Sequence, residues 1–363
     1  MHKPHVLATA HSQKSFPASA GPEEIPQWRP DPDSGGAIAC RATISPMPVV
    51  PSEFSTPFFL RNGHVQTILG AILPRRPGLV YERKRLELPD GDFVDLDWAR
   101  AGHRRAAILS HGLEGSSTNS DIRGLAAALN AAGWDALAWN FRGCGGEANR
   151  LARFYHSGET LDLSAVIAHS AERYEDLALV GFSLGGNMVL KYLGEGPAHP
   201  ALRAAVAVSA PIDLASSARA LDRRRGNRIY LGRFMRSLAA KVREKAIRFP
   251  GEIDPAGICD VSSFAEFDDR YTARIHGFRD AEDYWAQSSA RQYLPGIRLP
   301  ALLLNALDDP FLTPESYPFP EAGNNPRLYL EVPASGGHLG FLNAGGHWLE
   351  RRIPEFLTRF VPS

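Results

Sequence analysis

Cysteine is scarce in this chain of 363 residues. The three cysteines, Cys40, Cys144 and Cys259, are odd in number and far apart in sequence. This spacing excludes a dense disulfide framework and matches no cysteine-ligated metal site. Because unpaired cysteines are typical of reducing compartments, we expect a cytoplasmic protein.

Long apolar runs and an excess of charge of either sign are also missing. No apolar run approaches the length of a membrane span, and the first residues lack the apolar core of a secretory signal. The 40 basic residues balance the 40 acidic ones, so the composition gives no indication of a nucleic-acid partner. What remains is the ordinary composition of a globular protein, with enough apolar side chains for one large domain.

The composition of the chain changes at about residue 46. Residues 1–46 mix proline, serine, glycine and charged residues without periodicity. A segment of this kind buries too little apolar surface to offset the entropy lost on ordering, so we predict a disordered tail. Residues 47–363 form the predicted folded domain.

Strand and helix patterns alternate through most of this domain. Such alternation predicts an α/β fold, with a mostly parallel sheet and helices on both faces. The alternation stops after Asp213, and residues 214–296 are predicted to form a helical insertion rich in arginine and lysine. The predicted strands are 81–88, 93–98, 106–110, 135–140, 177–180, 202–209, 301–305 and 328–332, and helices are predicted at 122–132, 159–174, after residue 183 and at 347–360.

The stretch 176–190 has the pattern of a nucleophile elbow. A short apolar run predicts a buried strand, and helical periodicity begins directly after the turn. Between them lies Gly181-Phe-Ser183-Leu-Gly185, which matches the Gly-x-Ser-x-Gly signature of a serine at a sharp strand-to-helix turn. The helix N-terminus favours negative charge beside that serine. We therefore predict that Ser183 is a nucleophile.

A serine at such an elbow needs an acid and then a histidine, each after a later strand. Asp308 and Asp309 follow one predicted strand, and we prefer Asp309 because it directly precedes a Pro-Phe-Leu turn. His338 follows the next strand, and we prefer it to His347, which begins the final predicted helix. The sequence thus predicts a triad of Ser183, Asp309 and His338.

The loop after the predicted strand 106–110 supplies the second part of an oxyanion hole in enzymes of this kind. We predict the backbone N–H groups of Leu113 and Leu184 as the two donors. His111 is predicted to shape the loop by hydrogen bonding rather than to act as an acid or base. The chain has no metal-binding motif, the predicted mechanism needs no metal or other cofactor, and residues 140–146 lack the lysine of a phosphate-binding P-loop.

Seven short segments form a recognisable set. They are Arg61-Asn-Gly-His-Val-Gln-Thr-Ile68, His111-Gly-Leu-Glu-Gly115, Asn140-Phe-Arg-Gly-Cys-Gly-Gly146, Tyr155-His-Ser-Gly158, Gly181-Phe-Ser-Leu-Gly-Gly-Asn187, Asp308-Asp-Pro-Phe311 and Gly337-His-Leu-Gly-Phe341. In this order they resemble the YheT-like family of α/β-hydrolases, which includes animal ABHD-type lipid hydrolases and yeast medium-chain ester synthases. The resemblance covers residues from about 52 to 361. It implies an α/β-hydrolase fold with a helical lid, activity on short- to medium-chain acyl esters, and charge-relay roles for Ser183, Asp309 and His338.

The sequence leads to one functional prediction and leaves two alternatives open. The prediction is a serine hydrolase that cleaves carboxylic esters, with a small-molecule or lipid ester as its partner. The alternatives are an acyltransferase that makes esters from an acyl donor and an alcohol, and a non-catalytic binding protein of the same fold. The basic residues from Arg223 to Arg248 predict either a peripheral contact with anionic membranes or a solvated helical face. Acyl-chain length and oligomeric state are left open by the sequence.

Overall fold

The computed structural model describes residues 49–73, 75 and 78–361. The predicted disordered tail, residues 1–46, lies outside the described residues, and its disorder stays a prediction.

One large sheet forms the centre of the described part of the chain. It has nine strands: β1 (Val49–Val50), β2 (Glu82–Glu87), β3 (Phe93–Ala99), β4 (Arg105–Ser110), β5 (Asp135–Asn140), β6 (Asp176–Phe182), β7 (Leu202–Val208), β8 (Ala301–Leu304) and β9 (Leu328–Glu331). Their order across the sheet is β1-β9-β8-β7-β6-β4-β5-β3-β2. Strand β3 is antiparallel to β2 and β5, whereas every other neighbouring pair is parallel. The predicted, mostly parallel sheet is confirmed.

Helices cover both faces of this sheet. In β4, Ala106 and Ile108 belong to one hydrophobic cluster, and Ala107 and Leu109 belong to another. Successive side chains of a strand point to opposite faces, so burial on both faces explains why the strands are continuous apolar runs. The helices are α1 (Gly63–Ile72), α2 (Ser120–Ala131), α3 (Thr160–Ala171), α4 (Leu184–Glu195), α5 (Leu214–Arg223), α6 (Arg228–Arg248), α7 (Phe264–Phe267), α8 (Arg274–His276), α9 (Ala281–Ser288), α10 (Phe319–Asn324) and α11 (Leu349–Phe360).

Most predicted elements are confirmed within three residues of their bounds. The predicted final helix, 347–360, is wrong at its start, because His347 pairs with Leu342 in a hairpin of β10 (Leu342–Asn343) and β11 (Gly346–His347). Helix α1 was not predicted, although its segment was noted for its hydrogen-bonding groups.

The segment between β7 and β8 is helical and has a hydrophobic core of its own. Helices α5 to α9 lie there, with a π-helical turn at Asp268–Ala273 between α7 and α8. Leu238, Val242, Phe267 and Trp285 are among the buried residues of this core. These helices lie where the sequence predicts the helical insertion. None of the helices in the described ranges is long and apolar enough to span a bilayer.

Candidate active site

Ser183 lies at a sharp turn between β6 and α4. Its backbone has φ 52° and ψ −116°, a conformation that non-glycine residues rarely adopt and that is typical of strained functional turns. A Cβ atom on Gly181 would lie 2.2 Å from the carbonyl oxygen of Gly185, and one on Gly185 would lie 2.4 Å from that of Ser110. Glycine at both positions therefore allows the strand and helix to approach closely enough for this turn.

The side chains of Ser183, His338 and Asp309 form a hydrogen-bonded row. Nε2 of His338 lies 2.9 Å from Oγ of Ser183, and Nδ1 of His338 lies 2.9 Å from Oδ2 of Asp309. These residues follow β6, β9 and β8, whose carboxyl ends lie at the same edge of the parallel part of the sheet. The structure thus brings together the three residues predicted as a triad.

Asp309 and its neighbour Asp308 make different contacts. Oδ1 of Asp309 accepts a hydrogen bond of 2.9 Å from the Phe311 backbone N–H, which fixes the carboxylate that faces His338. Oδ1 of Asp308 instead accepts a hydrogen bond of 2.8 Å from the Gly337 backbone N–H. Burial raises the pKa of Asp308 above its ordinary value. The geometry therefore gives the histidine contact to Asp309 and a loop-fixing contact to Asp308.

Helix α1 packs directly behind the histidine loop, and the sequence analysis missed it. Oγ1 of Thr67 accepts a hydrogen bond of 2.8 Å from the His338 backbone N–H, and it donates one of 2.6 Å to the Gly63 carbonyl. A Cβ atom on Gly63 would lie 1.9 Å from the Asp308 carbonyl oxygen, and one on Gly70 would lie 2.6 Å from Cα of Gly340. Gly63, Thr67 and Gly70 are small residues at spacing i, i+4 and i+7, and therefore share one helix face. This pattern was the sequence signal from which a closely packed helix could have been predicted.

The loop after β4 lies against the elbow and carries one predicted oxyanion donor. Gly112 is so near that a Cβ atom on it would lie 3.3 Å from Cβ of Ser183. Leu113 and Leu184, whose N–H groups are the predicted donors, both line the cavity that contains Ser183. The placement of both residues is compatible with that prediction, and their donor role stays a prediction.

His111 fixes the shape of this loop. Its Nε2 accepts a hydrogen bond of 3.2 Å from the Phe141 backbone N–H, so Nδ1 carries the proton that it donates to the Gly112 carbonyl, 2.7 Å away. Complete burial lowers the pKa of His111 to about 4, so the ring is neutral at physiological pH. These contacts agree with a loop-shaping role.

Glu114 connects the same loop to α6 of the insertion. Its backbone is in the left-handed region, with φ 54°. Its carboxylate accepts hydrogen bonds from Nζ of Lys241 at 2.6 Å, Oγ of Ser237 at 2.5 Å and the Tyr155 hydroxyl at 2.7 Å. The charge of Lys241 holds the pKa of Glu114 below its ordinary value although burial opposes this. Hydrogen bonds from α6 therefore connect Glu114, the residue after Leu113, to the insertion.

A cavity of about 110 Å³ lies beside Ser183 and His338. Loops of the sheet form one wall, and the insertion forms the other. The lining is mostly apolar, and it includes the side chains of Phe154, Leu214, Phe234, Leu238, Phe267 and Phe311. A cavity of this character suits the hydrocarbon part of a ligand, with the reacting group at Ser183.

Among the described residues, one group has side chains close enough together to hold a metal ion: His156, Glu159 and His276. Two contacts disfavour it as a metal site. The Gly158 backbone N–H donates to Nδ1 of His156, 3.1 Å away, so the proton of the neutral ring is on Nε2, the atom 3.5 Å from Glu159. The guanidinium of Arg153 already pairs with the Glu159 carboxylate. His156 also lines the cavity beside Ser183, whereas Glu159 and His276 line a separate pocket.

Comparison with known proteins places these features in a family. A family model described as the alpha/beta hydrolase fold matches residues 108–344. The chain belongs to the α/β-hydrolase family. Within it, the chain is similar to the YheT protein of Escherichia coli (strain K12), with 39% identity over 314 residues that cover 83% of this chain and 91% of that protein. The resemblance to YheT-like hydrolases predicted from the seven segments is confirmed.

More distant relatives share the same hydrolase architecture. The chain is 29% identical to phospholipase ABHD3 of Mus musculus over 344 residues, which cover 90% of this chain and 83% of that protein. A solved structure of an esterase from Pyrococcus furiosus superposes with a TM-score of 0.53 at 18% identity, covering 78% of this chain and 92% of that one. At this low identity the solved structure supports the fold alone.

Proposed function

We propose that this α/β-hydrolase is a serine enzyme that cleaves carboxylic esters. The observation that carries the proposal is the row of hydrogen bonds from Asp309 through His338 to Ser183, at the wall of an apolar cavity. A serine hydroxyl becomes nucleophilic when a histidine held by a carboxylate can accept its proton. A relative named as a phospholipase agrees with chemistry at an acyl ester.

The proposed reaction has two halves. Oγ of Ser183 attacks the ester carbonyl carbon while Nε2 of His338 takes its proton, and Asp309 holds Nδ1–H of the imidazolium. The N–H groups of Leu113 and Leu184 stabilise the oxyanion, and His338 gives its proton to the departing alcohol. Water then attacks the acyl-enzyme with His338 as base, which releases the acid and restores Ser183.

The cavity suggests which part of the substrate is bound by the protein. Aromatic and aliphatic side chains surround most of the cavity, so the transfer of an acyl chain from water into it would be energetically favourable. We propose short- to medium-chain acyl esters, including lipid esters, as the substrate class. The insertion supplies one wall of the cavity, and we propose that it acts as the lid that shapes acyl selectivity.

Hydrolysis of p-nitrophenyl esters from acetate to palmitate tests this function. We expect a burst of p-nitrophenol, equal to the enzyme concentration, and one optimum of chain length. Ser183→Ala should abolish both, whereas Ser262→Ala, at an exposed serine of the insertion, should behave as wild type. Equal turnover by wild type and Ser183→Ala would exclude Ser183 as the nucleophile.

Acyl transfer to an alcohol is a second candidate because the apolar cavity can protect an acyl-enzyme from water. The same acyl-enzyme at Ser183 would then be attacked by an alcohol oxygen, with His338 again taking the proton. Adding ethanol to the assay and measuring ethyl ester by gas chromatography separates the two outcomes. Ethyl ester in excess of free acid at low alcohol concentration favours transfer, and free acid alone favours hydrolysis.

We also propose that one face of the protein makes a peripheral contact with lipid surfaces. Ile72 of α1 and Ile229 at the start of α6 are exposed by 67% and 76%, and Phe58 before α1 is exposed by 81%. His64 of α1 stacks on Tyr230 with ring centroids 5.8 Å apart, so these two helices are neighbours. The exposed Arg225 and Arg228 closely precede Ile229 in the chain, so basic side chains accompany an exposed apolar one, as in amphipathic membrane contacts.

Vesicle sedimentation with increasing phosphatidylglycerol content tests this contact. Arg224, Lys241 and Lys245 bond to protein carbonyl and carboxylate groups, so the exposed Arg225 and Arg228 are the better targets. The double change Arg225→Ser and Arg228→Ser should weaken binding by about tenfold to thirtyfold, since each arginine near an anionic surface contributes about 1 kcal/mol. The control replaces Arg298 and Arg327 by serine. These exposed residues precede β8 and β9, so they lie at the amino ends of the strands, opposite to the end that carries Ser183. Binding that is indifferent to lipid charge would contradict the proposal.

A further inference from the structure

The mostly apolar cavity beside Ser183 contains a buried carboxyl group that the proposed mechanism does not use. Asp268 lines the cavity and is only 9% exposed. Its Oδ1 accepts a hydrogen bond of 2.7 Å from Oγ1 of Thr272, and its Oδ2 accepts one of 2.8 Å from Nε1 of Trp285. Burial of a carboxyl group among apolar side chains is energetically unfavourable, and these two hydrogen bonds offset part of that cost.

The local backbone is arranged to present this group. Asp268 begins the π-helical turn Asp268–Ala273, and Thr272 lies in the same turn and lines the same cavity. Such turns are rare, and they occur frequently at functional sites because they redirect side chains that a regular helix would place elsewhere. The π-helical turn, rather than a regular α-helix, therefore sets the position of the Asp268 side chain in the cavity lining.

Asp268 retains capacity for a ligand. A carboxylate offers about four lone-pair positions, and the protein donors Thr272 and Trp285 occupy two of them. Within the described ranges, no lysine or arginine forms an ion pair with Asp268. Burial raises its pKa to about 6, so the carboxyl group is still mostly ionised at neutral pH and acts as a strong acceptor.

A second polar group of the same cavity lacks a partner. Ser217 of α5 is 3% exposed and lines the cavity. Its Oγ forms no hydrogen bond with any described residue. Buried hydroxyl groups are normally paired, so the hydroxyl of Ser217 is free to pair with a polar group that enters the cavity.

We propose that Asp268 and Ser217 form a polar subsite that binds a hydroxyl group on the acyl chain of the ester substrate. This inference rests on the proposed function, since it places the ester at Ser183 and the hydroxyl group farther along the same cavity. A hydroxyl group can donate to the Asp268 carboxylate and can accept from the Ser217 hydroxyl. A plain alkyl chain can do neither, and it would leave the two remaining lone-pair positions of the buried carboxylate without water or a further donor.

The test compares paired substrates: the methyl esters of hexanoic, octanoic and decanoic acid and their ω-hydroxy counterparts. Acid release is followed by pH-stat titration, and the ratio of kcat/KM for each pair is the readout. We expect wild type to prefer the hydroxy ester at one chain length by about tenfold or more, the effect of a hydrogen bond to a charged group. Ser217→Ala and Asp268→Asn should each reduce that ratio, and Asp269→Asn, the same change at the next and exposed residue, should leave it unaltered.

Three results overturn the proposal. One is a ratio at or below one at every chain length, and another is a ratio that neither variant changes. The third is a stronger preference for ω-amino esters that Asp268→Asn removes, because it would identify a cation as the ligand. If no ester is hydrolysed, the proposed function fails separately, and calorimetry with the Ser183→Ala variant still tests the subsite. There, ω-hydroxyoctanoate should bind more tightly than octanoate, and equal affinities would contradict the subsite.

Discussion

Replacing Thr67 by valine tests whether α1 positions the histidine of the candidate triad. Valine has nearly the shape of threonine but cannot accept the hydrogen bond of 2.8 Å from the His338 backbone N–H. A buried donor without an acceptor costs about 1–3 kcal/mol, because the group has lost water and gained no partner. If the loop shifts to relieve this loss, the row from Asp309 to Ser183 is misaligned, and kcat should fall about 5- to 150-fold. KM should change by less than about threefold, since Thr67 does not line the cavity.

The assay is steady-state hydrolysis of p-nitrophenyl butyrate together with thermal unfolding. Thr67→Ser keeps the hydroxyl acceptor and should retain most of the wild-type kcat. Thr118→Val, an exposed site in another loop, is the matched control for the change of side chain. A Thr67→Val enzyme with wild-type kcat would refute the positioning argument. Equal losses of kcat in Thr67→Val and Thr67→Ser would refute the hydrogen bond as its cause.

Three further predictions follow from the same geometry. Asp309→Asn should lower kcat by about a thousandfold to ten-thousandfold, because the histidine tautomer is no longer fixed. Asp308→Asn should lower kcat by at most about tenfold. Similar losses of kcat in the two variants would contradict the choice of Asp309 as the partner of His338. Gly185→Ala should lower the melting temperature by several degrees or prevent folding, because its Cβ atom would lie 2.4 Å from a carbonyl oxygen, whereas Gly196→Ala, with nothing within 4 Å, should not. His111 has a pKa of about 4 when folded and 6.5 when unfolded, so the unfolded chain binds more protons between these values and the free energy of unfolding should decrease as pH falls from 6.5 to 4. Urea titrations of wild type and His111→Gln across this range check that slope, and an identical slope in the variant would show that His111 does not cause it.

Local chemistry explains why the elbow could be predicted from the sequence. A strand, a Gly-x-Ser-x-Gly turn and a helix are contiguous in the chain, and glycine is required there by the close approach of neighbouring backbone atoms. The order of acid and base could also be predicted, because both follow strands of a parallel sheet whose carboxyl ends lie at one edge. Residue spacing therefore identified His338 and the pair Asp308 and Asp309 as candidates.

The supporting residues could not be predicted in this way. Thr67 lies 271 positions from His338 in the chain. Nothing in the segment around Thr67 shows which backbone N–H will donate a hydrogen bond to its hydroxyl. The same holds for Glu114 and Lys241, 127 positions apart, and for the orientation of Asp268 toward the cavity. Pairings between such distant segments depend on how the insertion packs on the sheet, and lid contacts of this kind have no sequence periodicity.

The sequence by itself determined the elements that depend on local spacing: the mostly parallel sheet, the elbow, the chain order of the triad candidates and membership in the hydrolase family. The tertiary structure alone decided which aspartate faces His338, how α1 holds the histidine loop, and which polar groups of the insertion line the cavity. The physical reason is the range of the interactions. Turn conformation and strand periodicity arise from neighbouring residues, whereas hydrogen bonds between α1, the insertion and the sheet exist only once the apolar surfaces of those elements have packed together.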